Sequence, residues 1–392
     1  MIVIKDKSKC AGCTACASIC PQHCISMVED EESFVFPKVD IEKCIHCDRC
    51  DKVCPYNTFV SSKDKKETAF VLRSNDKDYL MNGTSGGFVG SLVDYIIDND
   101  GVCCASSMDD NMEVCHVFIN SKSEWLLNKS RIQGSKYVQS DLHECFTRIR
   151  DYLCAGRNVL FIGTPCQVNG IRNFLDDVDI RRLILVDIVC HGVPSHSLWD
   201  RYKEYQEKKH GSRIVAARFR KKTYGYNGST MSLEFENGSH YDGFLRTDLM
   251  LKAYYGNISS RYSCYSCPAK GDRRSADFTI FDAWHARQLA SELVDDNLGY
   301  TNVIVRSLKA SRIWDEIKES FTYFQINPED AVSKDGVMYG KNACPDKNRE
   351  LFYKALTESG LSNAMKKLMP VTITDRIRVK IRKTMLLKNR IA

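Results

Sequence analysis

Apolar positions along the chain change their period several times, and each change marks an element. Asn158 to Gly163 is a short apolar run that ends in Thr164-Pro165-Cys166-Gln167. Thr164 suits a cap and Pro165 a first helical position, so the pattern predicts a strand and then a helix over Gln167 to Leu175. Leu183 to Val189 is almost continuously apolar, as strands buried on both faces are. The three form a strand-helix-strand unit whose crossover is right-handed. Cys166 and Cys190 then fall just past the carboxyl ends of parallel strands, the edge where open α/β sheets place ligands. Upstream, Val89, Val93, Ile96 and Ile97 recur at helical spacing within Phe88 to Asp98. The turn before them, Asn82 to Gly87, is either a phosphate cradle or a plain helix entry. Ile25 to Val28 and Phe34 to Val39 flank the acidic Glu29 to Glu32 and read as a hairpin. Asn302 to Arg306 reads as a strand and Ile313 to Phe321 as a helix.

The 392 residues allow two or three domains. No run of about 18 apolar residues is present to span a bilayer. Only Ile2, Val3 and Ile4 precede Lys5 and Asp6, too few for a secretory signal, so a cytoplasmic location without disulfides is expected. The formal charge of +6 sits at one end, because residues 376 to 392 hold seven Lys and Arg and no acid. A protein that grips nucleic acid would carry its basic stripe on the body, so no nucleic-acid partner is expected. From Thr374, Ile377, Ile381, Met385 and Leu386 share one side of a basic helix that either packs on the body or makes a peripheral contact with the inner face of a membrane.

Nineteen cysteines in a reducing compartment point to metal or redox chemistry. Cys10, Cys13, Cys16 and Cys20-Pro21 recur, shifted by 34 positions, as Cys44, Cys47, Cys50 and Cys54-Pro55. Both copies read C-x2-C-x2-C-x3-C-P, the ligation run of two-cluster ferredoxins, in which the fourth cysteine ligates the other cluster. Cys10, Cys13, Cys16 and Cys54 are therefore assigned to one 4Fe-4S cluster, and Cys44, Cys47, Cys50 and Cys20 to the second. Zinc would explain a C-x2-C pair but neither the third spaced cysteine nor the doubled Cys-Pro. Cys24 is read as a packed thiol. A further pair, Cys264 and Cys267, needs two more thiolates to close a cubane, and Cys166 with Cys190 at the sheet edge would supply them for a third 4Fe-4S cluster. Alone, the pair suits zinc or nothing. His191 follows Cys190 and either donates to a bound cofactor or caps a loop. Arg218, Arg220, Lys221, Lys222, Lys270, Arg273 and Arg274 form either a solvated face or a partner for an anionic cofactor or acidic redox protein.

Together these motifs resemble the coenzyme F420 hydrogenase/dehydrogenase beta-subunit family. The matching stretches are Thr84 to Gly87, Gly134 to Ser140, Gly163 to Gln167, Val189 to Ser195 and Arg261 to Cys267. The resemblance implies an FAD-dependent iron-sulfur oxidoreductase of the form with a fused dicluster ferredoxin. The implied fold class is an α+β ferredoxin-like dicluster domain, residues 1–62, followed by an α/β flavin-binding domain with a largely parallel sheet core. That second domain has parts at 69–150 and 151–330, after a linker at Lys63 to Glu67, and a helical tail covers 331–392. By resemblance, Ser85, Gly86 and Gly87 take the pyrophosphate, while Ser135, Lys136, Gln139, Thr164 and Gln167 contact the flavin or ribityl groups. Lys136 and His191 are the implied catalytic residues, with Lys136 stabilising the reduced flavin anion. The expected partners are a redox protein, such as a ferredoxin or a reductase subunit, and a small-molecule substrate. Coenzyme F420 is one candidate hydride partner. Similar bacterial chains resemble proteins of surface-polysaccharide gene clusters, and the competing implication is a non-catalytic electron-transfer subunit. Relatives usually show Gly-Asp-Phe-Trp-Gly where this chain has Phe281-Asp282-Ala283-Trp284-His285, which weakens the expectation for coenzyme F420.

Overall fold

The computed structural model describes residues 1–59, 67–142 and 144–388. Of the expected linker, Lys63 to Lys66 lie outside the described residues. The N-terminal segment carries two single-turn helices, Ala15–Ser18 and Arg49–Lys52, one in each cysteine run. The predicted hairpin is present: β1 (Ile25–Glu29) pairs antiparallel with β2 (Val35–Val39), Ile25 opposite Val39.

After the linker, β3 (Thr68–Ser74), β4 (Val102–Met108), β5 (Val114–Ile119), β6 (Val159–Gly163) and β7 (Leu183–Ile188) enter an eight-stranded sheet. The chain leaves it for an antiparallel three-stranded sheet of β8 (Ile214–Lys221), β9 (Thr230–Phe235) and β10 (His240–Phe244). It returns with β11 (Phe278–Asp282), β12 (Thr301–Val305) and β13 (Phe321–Ile326), giving the order β13-β3-β12-β11-β7-β6-β4-β5. The central run β11-β7-β6-β4 is parallel, and the remaining neighbours pair antiparallel. Strands from 69–150 and 151–330 thus form one mixed sheet with a parallel centre.

Period-two alternation sorts this sheet into two covered faces. Cys103, Leu160, Ile184 and Val186 point to the side closed by the helices Phe88–Asp98 and Leu308–Ile317. Cys104, Val159, Phe161, Leu183 and Leu185 point to the other, closed by Cys145–Cys154 and Pro165–Phe174. The strand-helix-strand unit lies where the apolar pattern puts it. The expected helix at Ile313 to Phe321 does not: it runs Leu308–Ile317, and Phe321 opens the edge strand β13. An apolar helical stripe runs directly into an alternating strand there, so the boundary disappears from the sequence.

The dicluster segment is seated on the body by buried polar contacts. Asn173 Nδ2 donates to the carbonyls of Val53 at 3.1 Å and Thr58 at 2.9 Å. Ala15 and Val53 pack among Phe146, Val168 and Ile171, and Phe34 joins the core around Trp199 and Tyr353. Arg349, in the kinked helical segment Arg349–Leu368, is 2% exposed and forms a two-pronged pair with Glu32, both oxygens at 2.6 Å. Breaking a buried ion pair leaves one charge unpaired, a loss of about 3–5 kcal/mol. Arg349→Met should therefore lower unfolding free energy by about that much in denaturant titrations. A loss below about 1 kcal/mol would show that the pair does not hold the hairpin.

Candidate functional site

The two ferredoxin quartets assemble as the spacing requires. Cys20 stands with Cys44, Cys47 and Cys50 around one small cavity, so the fourth cysteine of the first run has crossed to the second. Burial pushes the Cys16 thiol up to about 12, with Cys10 and Cys54 near it, and Cys16 and Cys54 stand near Cys13, which brings the other four into one neighbourhood. Cys24 lines the first cavity too, its sulfur 3.4 Å from that of Cys20. Among the described residues no three His, Cys, Asp or Glu side chains converge closely enough to hold a single metal ion. A zinc ion with bonds of about 2.3 Å would need such convergence, whereas a cubane holds its thiolates farther apart.

A third quartet forms at the sheet edge. Cys166 occupies the first turn of the Pro165–Phe174 helix and Cys190 follows β7. Cys264 lies in the short 3-10 turn Tyr262–Ser266, with Cys267 just after it. Gly192 brings these loops together: at φ +146°, a side chain there would meet Ser260 Oγ at 2.7 Å and the Cys264 Cβ at 3.2 Å. Burial, then Cys267 and Cys190 nearby, push the Cys166 thiol up to about 12. Cys264 is pushed up by burial and then by Cys190 and Cys166. Four bare thiolates would not persist in so dry a site, whereas a cationic metal core deprotonates its thiols outright. Cys13 is also raised, first by burial, and both Cys16 and Cys166 stand near it, so the first quartet abuts the third. Lys270 Nζ donates to the Cys190 carbonyl at 2.7 Å and places a cation beside the thiols.

Cys166 and Cys190 also line a cleft of about 400 Å³ along the carboxyl ends of the parallel strands. Ser85, Gly87, Ser135, Lys136, Gln139, Thr164, Gln167 and His191 all line it. Several of them serve the scaffold, however. Gly86 is absent from the lining. Its N–H donates to Thr301 Oγ1 at 2.7 Å, and a Cβ there would sit 2.3 Å from the Leu72 carbonyl. The Ser85 hydroxyl lies 2.6 Å from that of Thr301. The turn is a pinned helix entry, and the expected Gly86 contact to pyrophosphate is corrected. Gln167 Oε1 accepts from the Thr164 N–H at 2.9 Å, capping the helix. Gln139 Nε2 donates to the Gly12 carbonyl at 3.4 Å, tying the cleft wall to the ferredoxin loop. His191 Nε2 lies 2.6 Å from Asn257 Oδ1.

Lys136 fits an electrostatic role. Its ammonium, half-buried in the cleft wall, donates to the Ile132 carbonyl at 2.6 Å and has no carboxylate partner among the described residues. Burial, with Arg218 nearby, lowers its pKa to about 7. The expected solvated basic face is overturned for three members: Arg220, Lys222 and Arg274 are buried. Arg220 pairs with Asp282 at 2.6 Å at the cleft wall, beside the Trp284 ring. Of the residues that replace the usual glycines, Phe281 is packed in the core, while His285 is exposed with Nδ1 2.7 Å from Asp335 Oδ1.

Two cleft residues carried no sequence signal. His116 on β5 lies between Ser140 Oγ at 2.7 Å and the Ile162 carbonyl at 3.0 Å, and burial holds its pKa at about 4, keeping it neutral. Gln133 is 5% exposed, and neither atom of its amide has a protein partner. Such a group in a cleft wall awaits a polar ligand or water.

No curated protein matches the chain. Ten chains of solved structures do. One is a chain of the xenon-derivatised F420-reducing NiFe hydrogenase complex from Methanosarcina barkeri, 16% identical, with a TM-score of 0.44 over 79% of this chain and 91% of that one. Two family models match: a 4Fe-4S dicluster domain at residues 9–58, and the C terminus of the coenzyme F420 hydrogenase/dehydrogenase beta subunit at 156–331. The second match spans the helix and loops that carry Cys166, Cys190, Cys264 and Cys267. Through these residues the chain is related to the coenzyme F420 hydrogenase/dehydrogenase beta subunit, as an iron-sulfur electron-transfer protein with its own dicluster domain.

Proposed function

We propose that this chain is an iron-sulfur flavoprotein oxidoreductase that uses three 4Fe-4S clusters and FAD to reduce or oxidise a small molecule. The observation that carries the reading is the third quartet, which lies between the Cys13 loop and the cleft. Cys166, Cys190, Cys264 and Cys267 would hold the third cluster. The cleft would hold FAD, with the Gln133 amide, the Ser135 hydroxyl, Thr84, Ser85, Gly87 and Lys136 as its polar contacts. Bound FAD supplies the exchange between two-electron and one-electron chemistry, which is what makes clusters useful beside it. Lys136 places a positive charge in the cleft wall, where an anionic ligand is favoured, and neutral His116, its ring nitrogens held by Ser140 and the Ile162 carbonyl, adds no charge of its own.

The substrate reading is a sugar-linked intermediate of surface-polysaccharide synthesis. Bulky Phe281 and His285 make the loop beside the cleft less open than the glycines usual in relatives, which counts against coenzyme F420 as hydride partner. The second reading, an electron-transfer subunit serving a separate protein, is favoured by one observation. Cys47 is exposed, and Ile41 and Ile45 beside its run are 66% and 58% exposed, an apolar surface next to the second quartet.

Anaerobically purified protein should contain about twelve irons and one FAD per chain, and Cys264→Ser should remove about four irons. A count of about eight that Cys264→Ser leaves unchanged would reject the third cluster, and zinc in place of iron would reject the whole reading. Protonated Lys136 favours an anionic ligand below about pH 7, so flavin affinity should fall as pH rises from 6 to about 8.5. Fluorescence titration of Lys136→Met should give a flatter profile; an identical pH dependence would remove Lys136 from the site.

A further inference from the structure

The helix Ile373–Lys388 presents its apolar stripe away from the protein. At about 100° per residue, Asp375, Val379, Lys383 and Leu386 share one side. That side meets the body. Asp375 is 6% exposed and accepts from Lys252 Nζ at 2.9 Å, and Val379 and Leu386 are half-buried. Lys383 sits over the Tyr224 ring at 4.9 Å, and Arg382 donates to the Asn227 carbonyl at 2.5 Å. Ile373, Ile377, Ile381 and Met385 fall on the opposite side, 76%, 52%, 55% and 62% exposed. Of the expected stripe, Leu386 therefore turns to the body, where Asp375, Arg382 and Lys383 fasten the helix, while Ile377, Ile381 and Met385 turn outward together with Ile373.

We propose that this helix rests on an anionic bilayer surface, with the four apolar side chains as its keel. Arg376 and Lys380 project on one flank of the keel and Arg378 on the other, all exposed. A single apolar row flanked by cations on both sides suits a flat surface, where the row enters the acyl boundary and the cations meet phosphate headgroups. A second copy fits poorly, because pairing two such ridges would bring like-charged flanks together. From residue 376 onward the sequence has seven cations and no acid, and the helix's one carboxylate, Asp375, is held by Lys252. Among the described residues no helix is long and apolar enough to cross a membrane, so the contact lies on the surface. The fastening of Asp375 and Arg382 would carry the cofactor-bearing body along with the helix. This inference does not depend on the redox reading, since it needs neither cluster nor flavin.

The test uses the full chain and sedimentation with phosphatidylcholine vesicles, with and without about one-third phosphatidylglycerol. Binding should require the anionic lipid and weaken as salt rises from about 0.05 to 0.5 M. Ile377→Glu with Ile381→Glu should lower affinity at least about tenfold. Arg378→Glu with Lys380→Glu, which leaves the keel intact, should do the same. All four side chains are exposed, so iron content and thermal unfolding should match the parent protein and certify the fold of either variant. Equal binding by parent and both variants, or no vesicle binding at all, would overturn the proposal. So would a dimer seen by ultracentrifugation that depends on Ile377 and Ile381 in a protein that ignores vesicles.

Discussion

Arg261 sits where the two parts of the molecule must agree. It is 1% exposed, and its guanidinium donates to the carbonyls of Cys10 at 2.7 Å and Val35 at 2.8 Å and to Gln139 Oε1 at 3.2 Å. The Phe36 ring lies 4.1 Å from its centre, and no carboxylate pairs with it among the described residues. A buried cation served only by neutral dipoles is costly unless negative charge lies nearby. Arg261 begins the turn that carries Cys264 and holds the carbonyl of Cys10, so one side chain fixes the first and third quartets together. Loaded quartets of thiolates would supply the missing negative charge, and Lys270 repeats the arrangement at Cys190.

This placement links sequence, packing and chemistry. Parallel strands end at one edge because a strand-helix-strand unit allows no other course, and that edge delivers Cys166, Cys190 and the cleft together. The ferredoxin segment then has one way to dock: against the Pro165–Phe174 helix, where Asn173 collects its carbonyls, and against Arg261. The cleft accordingly has a thiol-lined wall toward the quartets and a polar wall toward Lys136 and His116.

Local chemistry was readable from the sequence, and long-range satisfaction of buried groups was not. Doubled cysteine runs, the Thr164-Pro165 cap and the apolar β7 report their own structure, because their partners lie within a few residues or follow a fixed repeat. The grouping of Cys166 with Cys264 was reachable since strand ends and C-x2-C spacing narrow the choices. Gly86, Gln139 and Gln167 match family stretches, but their polar groups serve Thr301, the Gly12 carbonyl and Thr164. A motif names a position without naming the bond made there. His116 and Arg349 had no signature, and Arg261 opens a family stretch that says nothing of its bonds, as each is explained by carbonyls or a carboxylate brought in from distant segments. The stripe of the last helix was legible, but the side on which it faces depends on Lys252 and Asn227.

The pair between Glu32 and Arg349 joins residues 317 positions apart. On a ribosome, the hairpin and both ferredoxin quartets emerge long before the residue that clamps them, at about 5–20 residues per second. The dicluster segment therefore spends tens of seconds as a free module, with Cys10 and Cys13 still open to solvent. Cluster insertion by an assembly factor has its natural opportunity in that interval, before Arg261 and Arg349 close the segment against the body. The order of synthesis would then let the ferredoxin clusters form before the sheet-edge cysteines, which extend to Cys267, have all been made.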